Sequence, residues 1–329
     1  MKRLRWGILG TATIAKNWII PALRASDANE LTAIASRDLT AAQAFAQEWH
    51  IPTAYGSYDA LLADPDIDAI YNPLPNHLHV PLSIKALQAG KHVLCEKPMA
   101  LNAQEARGLL EVAAQYPRLL AMEAFMYRFH PQWKKIAQIV DGKALGNLLS
   151  MHAQFTYPKI DAFNIRNRPE WGGGGLMDIG SYCVSVARLM FDAEPQRVCA
   201  QLGFHPEYGV DVVASGIMQF PTGNATFSCA TEAEFSQGVF AVGELASVFI
   251  ENPFVPPRDE PTKIIVRRDT IADELEFDGD HYMDMFDAFA QAIDNCEQAP
   301  LPLTDSVVNM SVIDAIFASA KSGQWVDLQ

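Results

Sequence analysis

From residue 4 to about 120, short apolar runs alternate with stretches whose apolar residues recur at helical spacing. Arg5 to Leu9, Leu31 to Ser36, Ile67 to Asn72, His92 to Cys95 and Leu119 to Glu123 read as strands. Ile14 to Ser26, Thr40 to Trp49, Pro81 to Ala89 and Ala103 to Gln115 read as helices, with Thr40 and Gln43 spaced as a capping box and Gly90 closing the third. Strand alternating with helix predicts a doubly wound parallel sheet with right-handed crossovers. After Glu123 the texture changes. A helix from Gln132 to Val140 precedes a strand from Leu148 to Tyr157, a loop rich in Arg, Pro and Gly, and a helix from Asp178 to Met190. Alternating runs at Arg197 to Phe204, Val212 to Phe220, Ala225 to Glu232, Gly238 to Gly243, Ser247 to Glu251 and Lys263 to Arg267 predict antiparallel strands with one buried and one partly polar face. Two helices follow, Tyr282 to Asp294 and Ser306 to Ser322. The expectation is an α/β domain over residues 1–123 and an α+β domain over 124–329, with no repeat, linker or low-complexity segment.

Composition supports two folded domains. The chain has 329 residues, 49% hydrophobic and 19% charged, which suffices for real cores. Its net charge of −14 argues against nucleic acid and against a membrane surface as partners. A phosphate must therefore be attracted locally, by an arginine and a helix N-terminus. Five cysteines, without CxxC spacing, read as reduced thiols and not as a disulfide frame or a metal site. No apolar run approaches a membrane span. Lys2, Arg3 and Arg5 before Trp6-Gly7-Ile8-Leu9 look like a short signal peptide, but cleavage near Ala15 would remove the first strand and the turn after it. The expected compartment is the cytoplasm.

Four segments of the first domain carry candidate chemistry. Gly10-Thr11-Ala12-Thr13-Ile14-Ala15, after the first strand, is a variant of the dinucleotide turn G-x-G-x-x-G/A. Gly10 permits the tight turn and Ala15 lets the helix sit close, while Ala12 stands where a second glycine is usual. About 20 residues further on, where the ribose of such a cofactor lies, the second strand ends in Ser36-Arg37. A hydroxyl and a guanidinium suit a 2′-phosphate, which favours NADP, with NAD possible if Asp38 holds the ribose instead of capping the next helix. In Asn72-Pro73-Leu74-Pro75-Asn76-His77 the prolines stiffen a loop over the expected cofactor; Asn76 or His77 touches it, or the loop is a rigid turn capped by Asn76. Glu96-Lys97-Pro98 ends the strand of the fourth β-α unit, at the sheet edge where such folds bind ligands.

The second strong feature is Trp171-Gly172-Gly173-Gly174-Gly175-Leu176-Met177-Asp178-Ile179-Gly180-Ser181-Tyr182. Four glycines bring backbone close to something, and a helix follows. Asp178 and Tyr182 stand four apart on one helical face, so the carboxylate can hold a substrate hydroxyl while the phenol reaches the reacting oxygen. The competing reading is an N-cap aspartate and a packed tyrosine. A phenol titrates near 10 in water (a reference value), and a neighbouring ammonium lowers that. Lys97 is the candidate, one residue from each domain with the substrate between them.

The turn, Glu96-Lys97-Pro98 and the glycine-rich Asp178 to Tyr182 segment, in this order and spacing, resemble the Gfo/Idh/MocA oxidoreductase family along essentially the whole chain. Tyrosine at 182, where many members have histidine, is similar to the branch of dimeric dihydrodiol dehydrogenase, glucose-fructose oxidoreductase and NADP-linked xylose dehydrogenase. Glu123-Ala124-Phe125-Met126-Tyr127-Arg128-Phe129-His130-Pro131 also resembles that branch, where it lines the substrate side. The resemblance implies a Rossmann domain followed by an open, mostly antiparallel sheet whose outer face often mediates dimers. It implies hydride transfer between nicotinamide and a hydroxyl-bearing carbon of a sugar, polyol or cyclic diol. Lys97, Asp178 and Tyr182 would be catalytic; Gly10, Thr11, Ala12, Ile14, Ala15, Ser36, Arg37, Asn76, His77, Glu96 and Lys97 would hold the cofactor, with no metal. Two rival activities are a cofactor-retaining, NAD-dependent glycoside hydrolase and a non-catalytic dinucleotide-binding regulator.

Overall fold

The computed structural model describes residues 3–328 except 159, 160, 162, 163 and 259; Lys2 lies outside these. The chain divides into two compact units, Met1–Phe129 with Asp280–Val307, and His130–Gly279 with Val308–Gln329. The alternation of strands and helices announces neither the return of 280–307 to the first unit nor the boundary at 129.

Six strands build the sheet of the first unit: β1 (Leu4–Leu9), β2 (Asn29–Ala35), β3 (Thr53–Tyr55), β4 (Ala69–Asn72), β5 (His92–Cys95) and β6 (Ala121–Glu123). All pair in parallel, in the order β3-β2-β1-β4-β5-β6. The connections carry α1 (Ile20–Ala25), α2 (Leu39–Glu48), α3 (Tyr58–Leu62), α4 (His79–Gln88) and α5 (Ala103–Ala113). Strand order reverses between β1 and β4, and there the crossovers part and open a crevice at the carboxyl ends. Residues such as Ile8, Ile34, Ile70 and Val93 are wholly buried, as continuous apolar strands covered on both faces require.

Three details differ from the sequence reading. The short edge strand β3 and the five-residue α3, capped by the Ser57 hydroxyl, carry too few apolar positions to register as periodic. With them counted, Glu96-Lys97-Pro98 follows the fifth strand and not the fourth. The helix expected from Ile14 opens with a π turn, Ala15–Ile19, and Pro21, which lacks a backbone donor, sits in the first turn of α1. The cap of α2 is Asp38 and not Thr40: its Oδ1 accepts from the amides of Thr40 (2.9 Å) and Ala41 (3.4 Å).

The second unit begins with α6 (Pro131–Asp141), β7 (Leu148–Pro158) and α7 (Ser181–Phe191). Eight further strands follow, β8 (Arg197–Phe204), β9 (Asp211–Gln219), β10 (Asn224–Ala230), β11 (Glu232–Gly243), β12 (Ser247–Ile250), β13 (Thr262–Arg268), β14 (Ile271–Phe277) and β15 (Val326–Asp327). They form one nine-stranded sheet, β14-β13-β12-β11-β7-β10-β9-β8-β15, antiparallel throughout except that β7 and β10 run parallel. The sequence reading omits β14 and β15, the two edges. Ile-Ala-Asp-Glu-Leu-Glu-Phe reads as polar because it is mostly exposed, as charged edge strands are. One sheet face is apolar and buried (Met151, Ala153, Phe155, Ala225, Phe227, Cys229, Val239, Ala241).

Two helices complete the chain, α8 (His281–Asp294) and α9 (Leu303–Ser322). In the first unit, α8 covers β1 and β4: Trp6 meets Phe286 edge-on at 4.8 Å and Phe289 at 5.8 Å, and Tyr71 meets Phe286 at 5.7 Å. At 20 residues, α9 is long and apolar enough by length and composition to cross a membrane, which corrects the expectation that no segment is. Half of that window is buried inside the protein, and the core helix of a globular protein passes the same test. All five cysteines are free.

Candidate active site

In the first unit, four loops at the carboxyl ends of neighbouring strands bring the predicted cofactor residues to one edge of the sheet. After β1, Gly10 adopts φ +83°, and a Cβ there would stand 2.7 Å from Leu74 Cδ2. The positive φ is what favours glycine here. Its amide donates to Ala35 O at 2.7 Å, tying the turn to β2. Thr11, Ala12 and Ile14 are partly exposed along the turn, and Ala15 is fully buried beneath it. Ala12 is not among the residues of positive φ, so its methyl brings no backbone strain; its carbonyl accepts from Ala15 and Lys16 and starts the helix.

Beyond β2, Ser36 Oγ accepts from the Asp38 amide (3.3 Å), and Arg37 is exposed. The Asp38 carboxylate is turned to its own helix cap, as the sequence reading allowed. Tyr58, at the start of α3, was missed. Burial pushes its phenol up, and the adjacent Arg37 guanidinium opposes that shift. The phenol oxygen also lies 4.0 Å from where a Gly10 Cβ would be, so Tyr58 joins the turn after β1 to Arg37. Its only sequence signal is an aromatic residue behind a Ser cap.

Asn72, wholly buried at the end of β4, braces the next loop: its amide donates to His79 O at 3.2 Å and its Oδ1 accepts from Leu74 N at 3.3 Å. Asn76 and His77 then form a 3₁₀ turn at this rim. His79 is buried with its ring nitrogens against Pro98 O (2.8 Å) and Leu74 O (2.6 Å), so one imidazole fixes two of the loops. Glu96 is buried, and its Oε1 accepts from the Tyr71 phenol, itself held protonated first by burial and then by this carboxylate. Glu96 thus anchors the tripeptide from below. Lys97, half-buried, precedes Pro98 across a cis peptide bond, and Met99 N donates to the buried Glu123 at 2.8 Å. Phe125 and Tyr127, of the stretch expected to line the substrate side, are fully buried and pack edge-on against each other at 6.0 Å.

In the second unit, the glycine-rich segment makes room for protein. A Cβ on Gly173 would fall 2.3 Å from Arg166 O, and one on Gly174, at φ +115°, would fall 2.1 Å from Asp211 Oδ1. Asp211 Oδ2 accepts from Leu176 N at 2.6 Å, which supplies the cap that the π turn Leu176–Gly180 otherwise lacks. Asp178 is therefore not an N-cap. It is 7% exposed, and its Oδ2 accepts from the Tyr157 hydroxyl at 2.6 Å and forms an ion pair with Arg166, whose Nε stands 2.7 Å away. Tyr182 is 4% exposed, its ring held by Phe155 (5.6 Å) and Phe254 (5.4 Å). Asp178 and Tyr182 keep the four-residue spacing, one in the π turn and one in the first turn of α7. Tyr157, Arg166 and Asp211 were missed, because a strand tyrosine and a loop arginine have no spacing that links them to Asp178.

Comparison with known proteins decides what this arrangement belongs to. The Gfo/Idh/MocA oxidoreductase family, NAD-binding Rossmann fold, matches residues 4–124, and the Gfo/Idh/MocA C-terminal domain matches residues 133–249. The chain belongs to the Gfo/Idh/MocA family. It is similar to D-xylose 1-dehydrogenase (NADP(+)) 2 of Haloferax volcanii, 38% identical over 99% of this chain and 100% of that protein. It is 40% identical to trans-1,2-dihydrobenzene-1,2-diol dehydrogenase of Xenopus laevis over 66% of this chain and 65% of that one. The crystal structure of a 3-ketoreductase from Actinomadura kijaniata in complex with NADP and TDP-benzene superposes with TM-score 0.90 at 32% identity, covering 97% of this chain and 98% of that one. This Gfo/Idh/MocA protein is an NAD(P)-dependent oxidoreductase, with the parallel α/β sheet and the mostly antiparallel second sheet that the sequence predicts.

Proposed function

We propose that the chain is an NADP-dependent dehydrogenase of sugars, polyols or cyclic diols. The observation that carries the cofactor choice is the donor set behind β2: the Ser36 hydroxyl, the Arg37 guanidinium and the Tyr58 phenol, with the neighbouring carboxylate of Asp38 occupied by its own helix. Such a set suits a 2′-phosphate. The residues fit the cofactor, since the Gly10 turn opens a helix at the switch point of the sheet, where such folds bind a pyrophosphate. Bound there, NADP supplies the acceptor or donor of hydride. Thr11, Ala12 and Ile14 line its phosphate end, and Asn76, His77 and Lys97 its nicotinamide end. Tyr182 removes the hydroxyl proton as the carbon is oxidised and returns it in the reverse direction; Lys97 polarises that oxygen and favours the phenolate. Xylose and dihydrobenzene-diol in the names of the relatives give the substrate range.

The test is a screen of aldoses, inositols and cyclic diols for NADP reduction, repeated with Arg37→Ala. The variant should weaken NADP at least 10-fold more than NAD, because only NADP has a phosphate to lose. Equal losses for both would discard Arg37 as the selector.

We also propose a homodimer through the second sheet. One cross-strand row on its outer face runs Ile265, Phe249, Phe240, His152, Thr226, Ile217 and Cys199, and Phe240, Phe249 and Ile217 are 46%, 38% and 40% exposed. Exposed aromatic residues aligned across a sheet support an interface. Phe240→Asp should turn a dimer into a monomer in sedimentation; a parent chain that sediments as a monomer rules the proposal out.

A further inference from the structure

Asp178 was expected to hold the substrate, yet its Oδ2 already engages two protein groups. Tyr157 reaches it from β7 at 2.6 Å, and Arg166 from the loop before the glycine run at 2.7 Å. Burial and the Asp178 charge both keep the Tyr157 phenol protonated, so it remains a donor. Arg166 is itself built in: its amide and Nη1 contact Asn164 Oδ1 (3.0 and 3.4 Å), and its carbonyl accepts from Gly174 N at 3.0 Å. The missing side chain at Gly173 lets that carbonyl approach. Its guanidinium is 39% exposed while the carboxylate beneath it is 10% exposed, so the positive group forms the outer layer of the pair.

Side chains near the start of a helix lean back over the preceding turn, which carries the Tyr182 phenol toward Asp178 and its arginine. Phe155, on the same face of β7 as Tyr157, and Phe254 hold the ring in this direction and carry no charge. Among the described residues of this unit, the charged and titratable groups packed around this turn include Asp178 on it, Tyr157 on β7, Arg166 on the loop and Asp211 on β9, whose Oδ2 is turned to Leu176 N; the Arg166 charge is itself favoured by both Asp178 and Tyr182.

We propose that Arg166 is a positioning residue, fixed by Asp178 and Tyr157, that supplies from the phenol's own unit the positive charge that favours the Tyr182 phenolate. Asp178 then acts through Arg166 and not on the substrate. Without the arginine, the phenol loses a cation and faces an uncompensated carboxylate, and both changes oppose its ionisation. The inference rests on Tyr182 as the group that transfers the proton, and it is tested separately from that reading.

The test is NMR titration of Cζ-labelled tyrosine in the full chain with NADP, the Tyr182 signal assigned by its loss in Tyr182→Phe. Arg166→Met should raise the Tyr182 titration point by about one pH unit or more. Arg166→Lys should restore part of the shift, and Arg166→Met with Asp178→Asn should show less than Arg166→Met alone. The acid limb of kcat/KM should move with the titration point, while the Kd for NADP stays at the parent value. Tyr157→Phe, which removes only a hydroxyl, should move the point in the same direction by less, and it serves should Arg166→Met fold poorly. A titration point unchanged in Arg166→Met, or in Tyr157→Phe where that is the variant used, overturns the proposal whatever happens to activity. Activity retained in Tyr182→Phe overturns the proton-transfer reading instead.

Discussion

At the scale of single residues, the candidate chemistry divides between groups proposed to act and groups that hold them. Lys97 stands half-buried at a strand end, while its neighbour Glu96 is consumed by Tyr71. Lys97→Met should keep the fold and lose turnover by far more than any loss of NADP affinity; a variant holding more than a tenth of the parent rate, about 1.4 kcal/mol of barrier, would remove Lys97 from the mechanism. Tyr182→Phe deletes one oxygen from a packed ring and should cost about 10²-fold or more in kcat, the scale of general acid-base work. A Tyr182→Phe enzyme at parent rate with an unchanged pH profile would reduce the tyrosine to packing. Lys97, Gly10, Ser36-Arg37 and Tyr182 were legible in the sequence because each belongs to a short motif with fixed spacing. Tyr58, Tyr157 and Arg166 were not, since their neighbours lie 21, 21 and 12 positions away (58 − 37, 178 − 157, 178 − 166) and only folding brings them together.

At the scale of elements, period-based reading worked for long segments and failed at short or exposed ones. β5 was placed to the residue; β3, α3 and β14 were omitted because three-residue strands and polar edges carry no period. The glycine run was expected to bring backbone close to something, and what it seats is Arg166 and Asp211. Gly174→Ala should therefore destabilise the protein by about 1–3 kcal/mol, since φ +115° is strained for alanine and the methyl displaces the Asp211 carboxylate from Leu176 N. Gly108→Ala is the control: inside α5, with nothing within 4 Å of the added methyl, it should stabilise by up to about 1 kcal/mol. Denaturant midpoints would show the contrast, and equal midpoints for the two variants would contradict the assigned packing.

At the scale of the whole molecule, buried histidines tie stability to pH. Burial pushes both His79 and His92 down to about 4, and the His92 Nδ1 accepts from Leu120 N at 3.0 Å, so the neutral ring is the native one. The unfolded chain takes up these protons near 6.5, a reference value, and the native chain only near 4. Stability is thus complete above 6.5 and falls as pH drops from there toward 4. His92→Gln, which can still accept from Leu120, should flatten that fall in a series of thermal midpoints; an identical slope in the variant would exclude His92 as a source.

The return of residues 280–307 to the first unit sets an order of events during synthesis. Trp6 leaves the ribosome long before the rings that cover it, for Phe286 and Phe289 are made only after the entire nine-stranded sheet except β15. The N-terminal unit must therefore wait with β1 and β4 bare on one side while its successor is translated. Domains usually mature from the N-terminus onward. Here the last-made part of the first unit closes it, and nascent chains halted before α8 are the ones that most need a chaperone.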